Sequence, residues 1–222
     1  MQNFEIIQDA NITSYKCEIK KSFLYYALKR VIDVTGSLVG IIIFLPILIF
    51  TSIAIKIDSK GPVIFSEERV GLNGKVFKMY KFRTMISNAE ELLPELKNKN
   101  EISEPMFKIS YYPRITRVGR IIRKMSIDEL PQFFNVLLGD MSLVGPRPNL
   151  PSQAEKFSEI HKIKLLAKPG LTCYWQVMGR SDIDFEEWMM LDIKYLEDRN
   201  LWLDIKLIFI TSFLLFGNRN DS

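Results

Sequence analysis

The sequence predicts an α/β fold attached to a membrane element, on three observations. Residues 34–55 carry no charge, and 38–55 read LVGIIIFLPILIFTSIAI. Two stretches with strand character, 62–70 and 75–82, flank Gly71-Leu72-Asn73-Gly74, which has the composition of a hairpin turn. Apolar residues recur at helical intervals over 115–136, and 185–198 reads as a further helix.

The 222 residues, 47% hydrophobic and 25% charged, suffice for one packed domain plus an added element and exclude global disorder. Thirty Lys and Arg against 26 Asp and Glu leave a charge of +4, too little for a dedicated nucleic-acid binder. Cys17 and Cys173 form no CxxC and His161 is the single histidine, so a multi-histidine metal centre has no material. Acids, bases and nucleophiles must come from carboxylates, Lys, Tyr or Ser.

In chain order, residues 1–28 read as a polar cytoplasmic tail. Residues 29–58 form the membrane element, whose 22 uncharged positions reach ~33 Å as a helix against a bilayer core of ~30 Å. Its distance from the first residue and the lack of a small-residue cleavage site do not fit a removable signal peptide. Pro46, near its middle, removes one helical hydrogen bond. Lys16, Lys20, Lys21, Lys29 and Arg30 precede the segment, and Lys56, Lys60, Arg69 and Lys75 follow it, so charge selects no side. Two forms satisfy these features: a helical hairpin that enters the cytoplasmic leaflet, bends at Pro46 and returns, or a kinked spanning anchor. Asp33 is expected to pair with Lys29 or Arg30 one turn back, as an interfacial anchor.

Residues 59–222 supply the globular domain. Beyond the hairpin, 87–101 reads as an exposed charged helix despite Pro94, and Gly139 stops the helix over 115–136. Gly145-Pro146-Arg147-Pro148 is a rigid turn, and 168–172 lead into a strand expected over 173–177. At the end of the chain, 207–216 (LIFITSFLLF) are too few to span, so they lie in the interface or complete a core. His161 reads as a surface or linker residue and Cys173 as a small buried one. Trp175, Trp188 and Trp202 read as core or interface anchors or as sugar-stacking platforms.

The stretch that could carry chemistry is 114–131, RITRVGRIIRKMSIDELP. Arg114, Arg117, Arg120, Arg123 and Lys124 fall within eleven residues, directly ahead of Asp128 and Glu129. Clustered guanidinium groups hold phosphates by forked contacts, and a helix start favours an anion. Three readings stand side by side: a phosphate-handling dyad, a Ser126-x-x-Glu129 capping box, and a basic surface drawn to anionic lipid at ~1 kcal/mol per charge.

The segments KMYKFRTM (78–85), PRITRVGRIIRKMSIDELPQFFNVLLGDMSLVGPRP (113–148), KPGLT (168–172) and WQVMGRSD (175–182) resemble the bacterial sugar transferases. These are monotopic phosphoglycosyl transferases, and the similarity runs over about 29–217. The chain looks like their short form, without further transmembrane helices ahead of the catalytic unit. The fold so implied is α/β: a re-entrant membrane helical hairpin broken at Pro46, plus a small cytoplasmic globular domain with amphipathic interfacial helices.

The resemblance implies transfer of a sugar 1-phosphate from a nucleotide sugar, usually a UDP-sugar, to polyprenyl phosphate such as undecaprenyl phosphate, with release of UMP. It implies Asp128 as covalent nucleophile and Glu129 as ligand of a magnesium ion (Mg2+). It places Lys81, Arg83, Arg123, Arg147 and Arg180 near the phosphates or nucleotide, and Asp192 in the polar support of the site. The expected partners are the nucleotide sugar, polyprenyl phosphate and the membrane, with downstream glycosyltransferases and a homodimer as further expectations. The expected location is the cytoplasmic face of the inner membrane. A carboxylate is already ionised at pH 7 and attacks phosphorus without a base, which suits a chain with one histidine. Magnesium and arginine offset the repulsion between that carboxylate and a diphosphate.

Three positions depart from the family pattern. Leu45 stands before Pro46 where serine is common, Tyr112 precedes Pro113-Arg114 where an aspartate or asparagine is common, and Cys173 replaces a glycine. Two rivals share the sequence signals: a hydrolase that gives the same aspartyl intermediate to water, and a catalytically silent membrane scaffold that recruits glycosyltransferases.

Overall fold

The structure is a computed structural model that describes residues 21–86, 114–178 and 184–216. Its longest element, α1 (Phe23–Asp58), is a 36-residue helix capped where Ser22 Oγ accepts from the Tyr25 N–H. A window of α1 has mean hydropathy 2.8, enough by length and composition to cross a bilayer. Only 17% of that window is buried, whereas the core helix of a soluble domain is mostly covered. In place of the hairpin expected around Pro46 the structure has one uninterrupted helix, with Pro46 inside it and exposed. A proline removes one hydrogen bond and crowds the carbonyl four residues back, which bends a helix without obliging it to end.

The strands β1 (Ile64–Val70) and β2 (Val76–Phe82) form the expected antiparallel hairpin, in register from Ile64 opposite Phe82 to Val70 opposite Val76. Asn73 takes the left-handed conformation in the turn, at φ 56°. The single helix expected over 115–136 is two: α2 (Arg117–Lys124) and α3 (Gln132–Leu138), with a 3-10 turn at Ile127–Glu129 between them. Ser126, at φ 54°, breaks the first from the turn, and Gly139, at φ 91°, closes the second. The apolar period survives the break because both helices pack on α1.

A second, parallel pair joins β3 (Ser142–Val144) to β4 (Gly170–Thr172), across the short helices α4 (Pro151–Ala154) and α5 (Glu159–Lys162). The strand expected over 173–177 is instead the helix α6 (Tyr174–Met178). Aromatic packing overrides β-propensity there: Tyr174 meets Tyr195 edge to face at 5.9 Å, and Trp175 lies 6.1 Å from Trp188. The helices α7 (Phe185–Asp198) and α8 (Leu201–Phe216) end the described chain, the first with the expected bounds. His161, expected at the surface, is buried, with Nε2 2.9 Å from Glu186 and the rings of Phe157 and Phe185 beside it. The residues of the charged helix expected over 87–101, together with Tyr112 and Arg180, lie outside the described residues.

The main core, around Val136, Met141, Val144, Ile193 and Leu196, joins α3, β3 and α7. A second cluster of Ile55, Phe82 and Ile122 joins the end of α1 to β2 and α2. Along α1, a Cβ at Gly40 would come within 2.8 Å of the Phe133 ring, so only glycine lets α3 approach this closely. Near its start Lys29 pairs with Asp204 at 2.7 Å, and Arg30 donates to the carbonyls of Val136 (2.6 Å) and Leu137 (2.7 Å). Asp33 does not make the ion pair expected one turn back. It accepts from Ser142 Oγ and the Leu143 N–H, both at 2.9 Å, because a fixed backbone donor at β3 satisfies a buried carboxylate. At the other end Asp58 accepts from the Val118 N–H at 3.0 Å, and Ser59 accepts from Arg83. Both ends of α1 are thus bonded to one globular domain. The helices packed on α1 expose apolar side chains of their own: Ile121 and Met125 at α2, Phe134 and Leu138 on α3, Trp202, Phe209 and Phe213 on α8.

Candidate active site

The site is assembled by a clamp and a break in the chain. Asn135 of α3, fully buried, accepts from the Tyr80 N–H at 2.9 Å and donates to the Lys78 carbonyl at 2.7 Å, as a neighbouring strand would. This fixes β2, and with Lys81 near its end, against α3. On the other side, Thr116 Oγ1 caps α2 by accepting from the Gly119 N–H at 2.9 Å, which sets the helix carrying Arg123. The left-handed Ser126 then turns the chain so that Asp128 and Glu129 project from a 3-10 turn between the two helices. Ser126 makes no side-chain cap bond there, so the capping-box reading does not hold.

Burial pushes the Asp128 carboxyl up to about 6; Glu129 adds to the rise, and Lys81 and Arg123 pull against it. Lys81 Nζ lies 3.4 Å from Glu129 Oε1. Arg123 Nε donates to Thr84 Oγ1 at 2.8 Å, which orients its guanidinium. A cleft runs from this dyad to the loop after β3 and is lined by Lys81, Glu129, Gln132, Arg69, Arg147 and Gln176. Arg147 lies over the Trp175 ring at 4.8 Å from its centroid. Behind it, Asp192 is fully buried, accepts from the Arg147 N–H at 3.4 Å and pairs with Lys164 Nζ at 2.5 Å. Burial raises the Asp192 carboxyl above the usual range, opposed by Lys164. Cys173 lies on the cleft floor, its thiol pushed well up by burial.

The structure therefore brings Lys81, Glu129 and Arg147 to one cleft, with Asp192 bracing the last of them, and sets Asp128 beside Glu129, where Lys81 and Arg123 act on its charge; neither Asp128 nor Arg123 is part of the cleft lining. Arg83 lies apart from the cleft lining, its Nη2 on Ser59 O (2.7 Å) and Oγ (2.8 Å) at the end of α1. Sequence reasoning missed Arg69, Gln132, Gln176 and Lys164. Lys164 had a signal, a lone charge inside the apolar run IKLL. The others had none, because only the fold turns them toward the cleft.

A dyad carrying hard carboxylate oxygens beside a row of cations suits phosphate chemistry, and the comparison with known proteins agrees. The family described as bacterial sugar transferase matches residues 24–218. The chain belongs to that family. A galactosyl transferase, CpsE, of Streptococcus agalactiae is 42% identical over 211 residues, 95% of this chain and 46% of that protein. An undecaprenyl-phosphate galactose phosphotransferase of Salmonella typhimurium is 45% identical over 189 residues, 83% of this chain and 40% of its own length. The exopolysaccharide production protein ExoY of Rhizobium meliloti is 35% identical over 187 residues, with 82% of this chain and 83% of that one covered. This chain thus spans less than half of the first two relatives.

Proposed function

We propose that the protein moves a sugar 1-phosphate from a UDP-sugar to undecaprenyl phosphate through an ester on Asp128. The observation that carries this reading is a buried carboxylate, raised to about 6 and still mostly ionised at pH 7, with Lys81 and Arg123 acting on its charge, next to Glu129 in a cleft that Lys81 and Arg147 also line. Relatives named for transferring galactose, glucose and N-acetylgalactosamine phosphates to undecaprenyl phosphate support that acceptor. They leave the sugar to be found.

In the first step an Asp128 oxygen attacks the phosphorus that bears the sugar, and the bond to the nucleoside's phosphate breaks, releasing UMP with the electron pair on its oxygen. Arg147 and Lys81 offset the charge that gathers on the departing phosphate. In the second step a phosphate oxygen of undecaprenyl phosphate attacks the same phosphorus, and the Asp128 carboxylate leaves unchanged. Magnesium takes one or two protein carboxylates together with substrate phosphates, so the hard oxygens of Asp128 and Glu129 fit it, with Glu129 as the protein ligand. When bound it would neutralise diphosphate charge. Glu129 faces the cleft, with Lys81 Nζ at 3.4 Å from its Oε1.

A membrane-held site meets the acceptor's phosphate without extracting its tail, and we place the protein on the cytoplasmic face with α1 entering and returning. From Asp33 to Asp58 a straight helix covers ~38 Å, more than a bilayer core of ~30 Å. A crossing helix would leave those ends on opposite sides, yet both are bonded to the same domain. Cysteine labelling from outside intact cells is expected to reach neither Lys21 nor Lys60. The transfer itself is tested by incubating detergent-solubilised protein with undecaprenyl phosphate, magnesium and a panel of nucleotide sugars. UMP and a lipid-linked diphosphosugar are expected with one donor. UMP without the lipid product would mean a hydrolase, and neither with any donor would remove the proposal.

A further inference from the structure

At the start of α1 lies a second cavity of about 170 Å3 that shares no lining residue with the Asp128 cleft. Its walls are partly apolar, with Val144, Leu166 and Ala167, and four cations reach it: Lys29, Arg30, Lys168 and Arg199. One carboxylate, Asp33, lines it, and that group is engaged by Ser142 Oγ and the Leu143 N–H. Lys29 is matched by Asp204. Arg30 is bonded to two neutral carbonyls, which orient it and leave its charge uncompensated.

Lys168 is half-buried and makes no hydrogen bond or ion pair among the described residues. Lys168 Nζ and Arg30 Nη2 converge: each is 3.5 Å from the place a Cβ would occupy on Gly139. Burial, and then the Arg30 charge, hold the lysine below its usual range, with Asp33 and Asp140 pulling the other way. Two cations brought together beside a cavity, with no anion between them, leave room and charge for one.

We propose that this cavity is an anion site, distinct from the reaction cleft, that takes a phosphate group presented on the headgroup of an anionic phospholipid. The depth fits that source. Lys29, Arg30 and Asp33 are the last charges before the uncharged run of α1, and exposed Phe23 and Trp202 flank the same end of the fold. The site would hold the helix at a fixed height by gripping the lipid beside it. This rests on the reading that α1 enters a bilayer; the phosphate chemistry of the cavity does not.

The test uses the full chain in uncharged detergent, with Lys168→Gln, Lys168→Arg and Asp128→Asn variants. Flotation on phosphatidylcholine vesicles tests the membrane reading alone, and every variant should float. Retained phosphatidylglycerol is then measured by mass, and thermal stabilisation by inorganic phosphate is measured in parallel. Wild type, Lys168→Arg and Asp128→Asn are expected to prefer phosphatidylglycerol over phosphatidylcholine about fivefold, and Lys168→Gln to lose that preference. Stabilisation by inorganic phosphate that needs Lys168, without a lipid preference, would keep the anion site and assign it a soluble source. A protein that floats but shows neither effect, or shows them unchanged in Lys168→Gln, would overturn the proposal.

Discussion

Asp204 and Asp128 are both acids set beside cations, and the fold treats them in opposite ways. At the foot of α1, Asp204 is 2% exposed and accepts from Lys29 Nζ and from the Tyr195 hydroxyl, each at 2.7 Å. In the cleft, Lys81 pairs with Glu129 rather than with Asp128, and Arg123 is turned toward Thr84. The first carboxylate is saturated and works as a fastener between α1 and α8. The second feels its cations at a distance, is raised to about 6, and keeps its oxygens available to phosphorus. Placing an acid near cations does not decide its role; the number of direct partners it is given does.

The sharpest way to break this contrast is to remove each acid in turn. Asp128→Asn is expected to lower UMP release by at least about 10³-fold while the protein still folds, since a positioned nucleophile supplies several kcal/mol. Asp204→Ala should do the reverse. It strands Lys29 in a mostly buried setting, at a cost of about 3 to 5 kcal/mol, so it should fail to accumulate or lose most of its thermal stability. Replacing both partners, Lys29→Met with Asp204→Leu, should recover much of that loss. If Asp204→Ala were stable and slow, the fastener role would be wrong.

The pH dependence sharpens the comparison at the cleft. The Asp128 carboxyl is raised from 3.8 to about 6, so its ionised form falls away below that pH, and the UMP release rate should drop about tenfold per unit there. The same shift has a stability sign. The folded state holds the Asp128 proton more tightly than the unfolded chain, so ionised Asp128 costs stability above about pH 6, and the cost vanishes below about 3.8. In chelator at pH 7.5, Asp128→Asn should therefore raise unfolding free energy by up to about 2 kcal/mol, read by denaturant titration. No gain, or a loss, would mean that the cations already satisfy the carboxylate. Smallest of all, Ser126→Gly relieves a left-handed residue at φ 54° and should stabilise by about 0.5 kcal/mol with the rate kept within about twofold.

The sequence carried the β1–β2 hairpin, the long apolar helix α1 and the bounds of α7, the first two through a turn composition and an uncharged run. It did not carry the break at Ser126. Nothing in a serine announces positive φ, and the apolar period runs straight across because α2 and α3 both pack on α1. Yet that break is what presents the dyad. Asp128 and Glu129 were legible as acids after a run of arginines, whereas Asp192 and Arg147 acquire their relation only when α7 packs behind the loop after β3. Arg83 shows the converse, since a motif position beside Lys81 in sequence sends its guanidinium to the end of α1. Asp33 likewise had two cations within one turn and took a strand's N–H instead.

The most direct measurement is the mass of protein quenched during turnover with the competent UDP-sugar and no acceptor lipid. The account predicts an added sugar phosphate on Asp128, discharged when undecaprenyl phosphate is supplied and absent from Asp128→Asn. Lipid-linked product accumulating with no adduct at that residue, or from the Asp128→Asn protein, would contradict it.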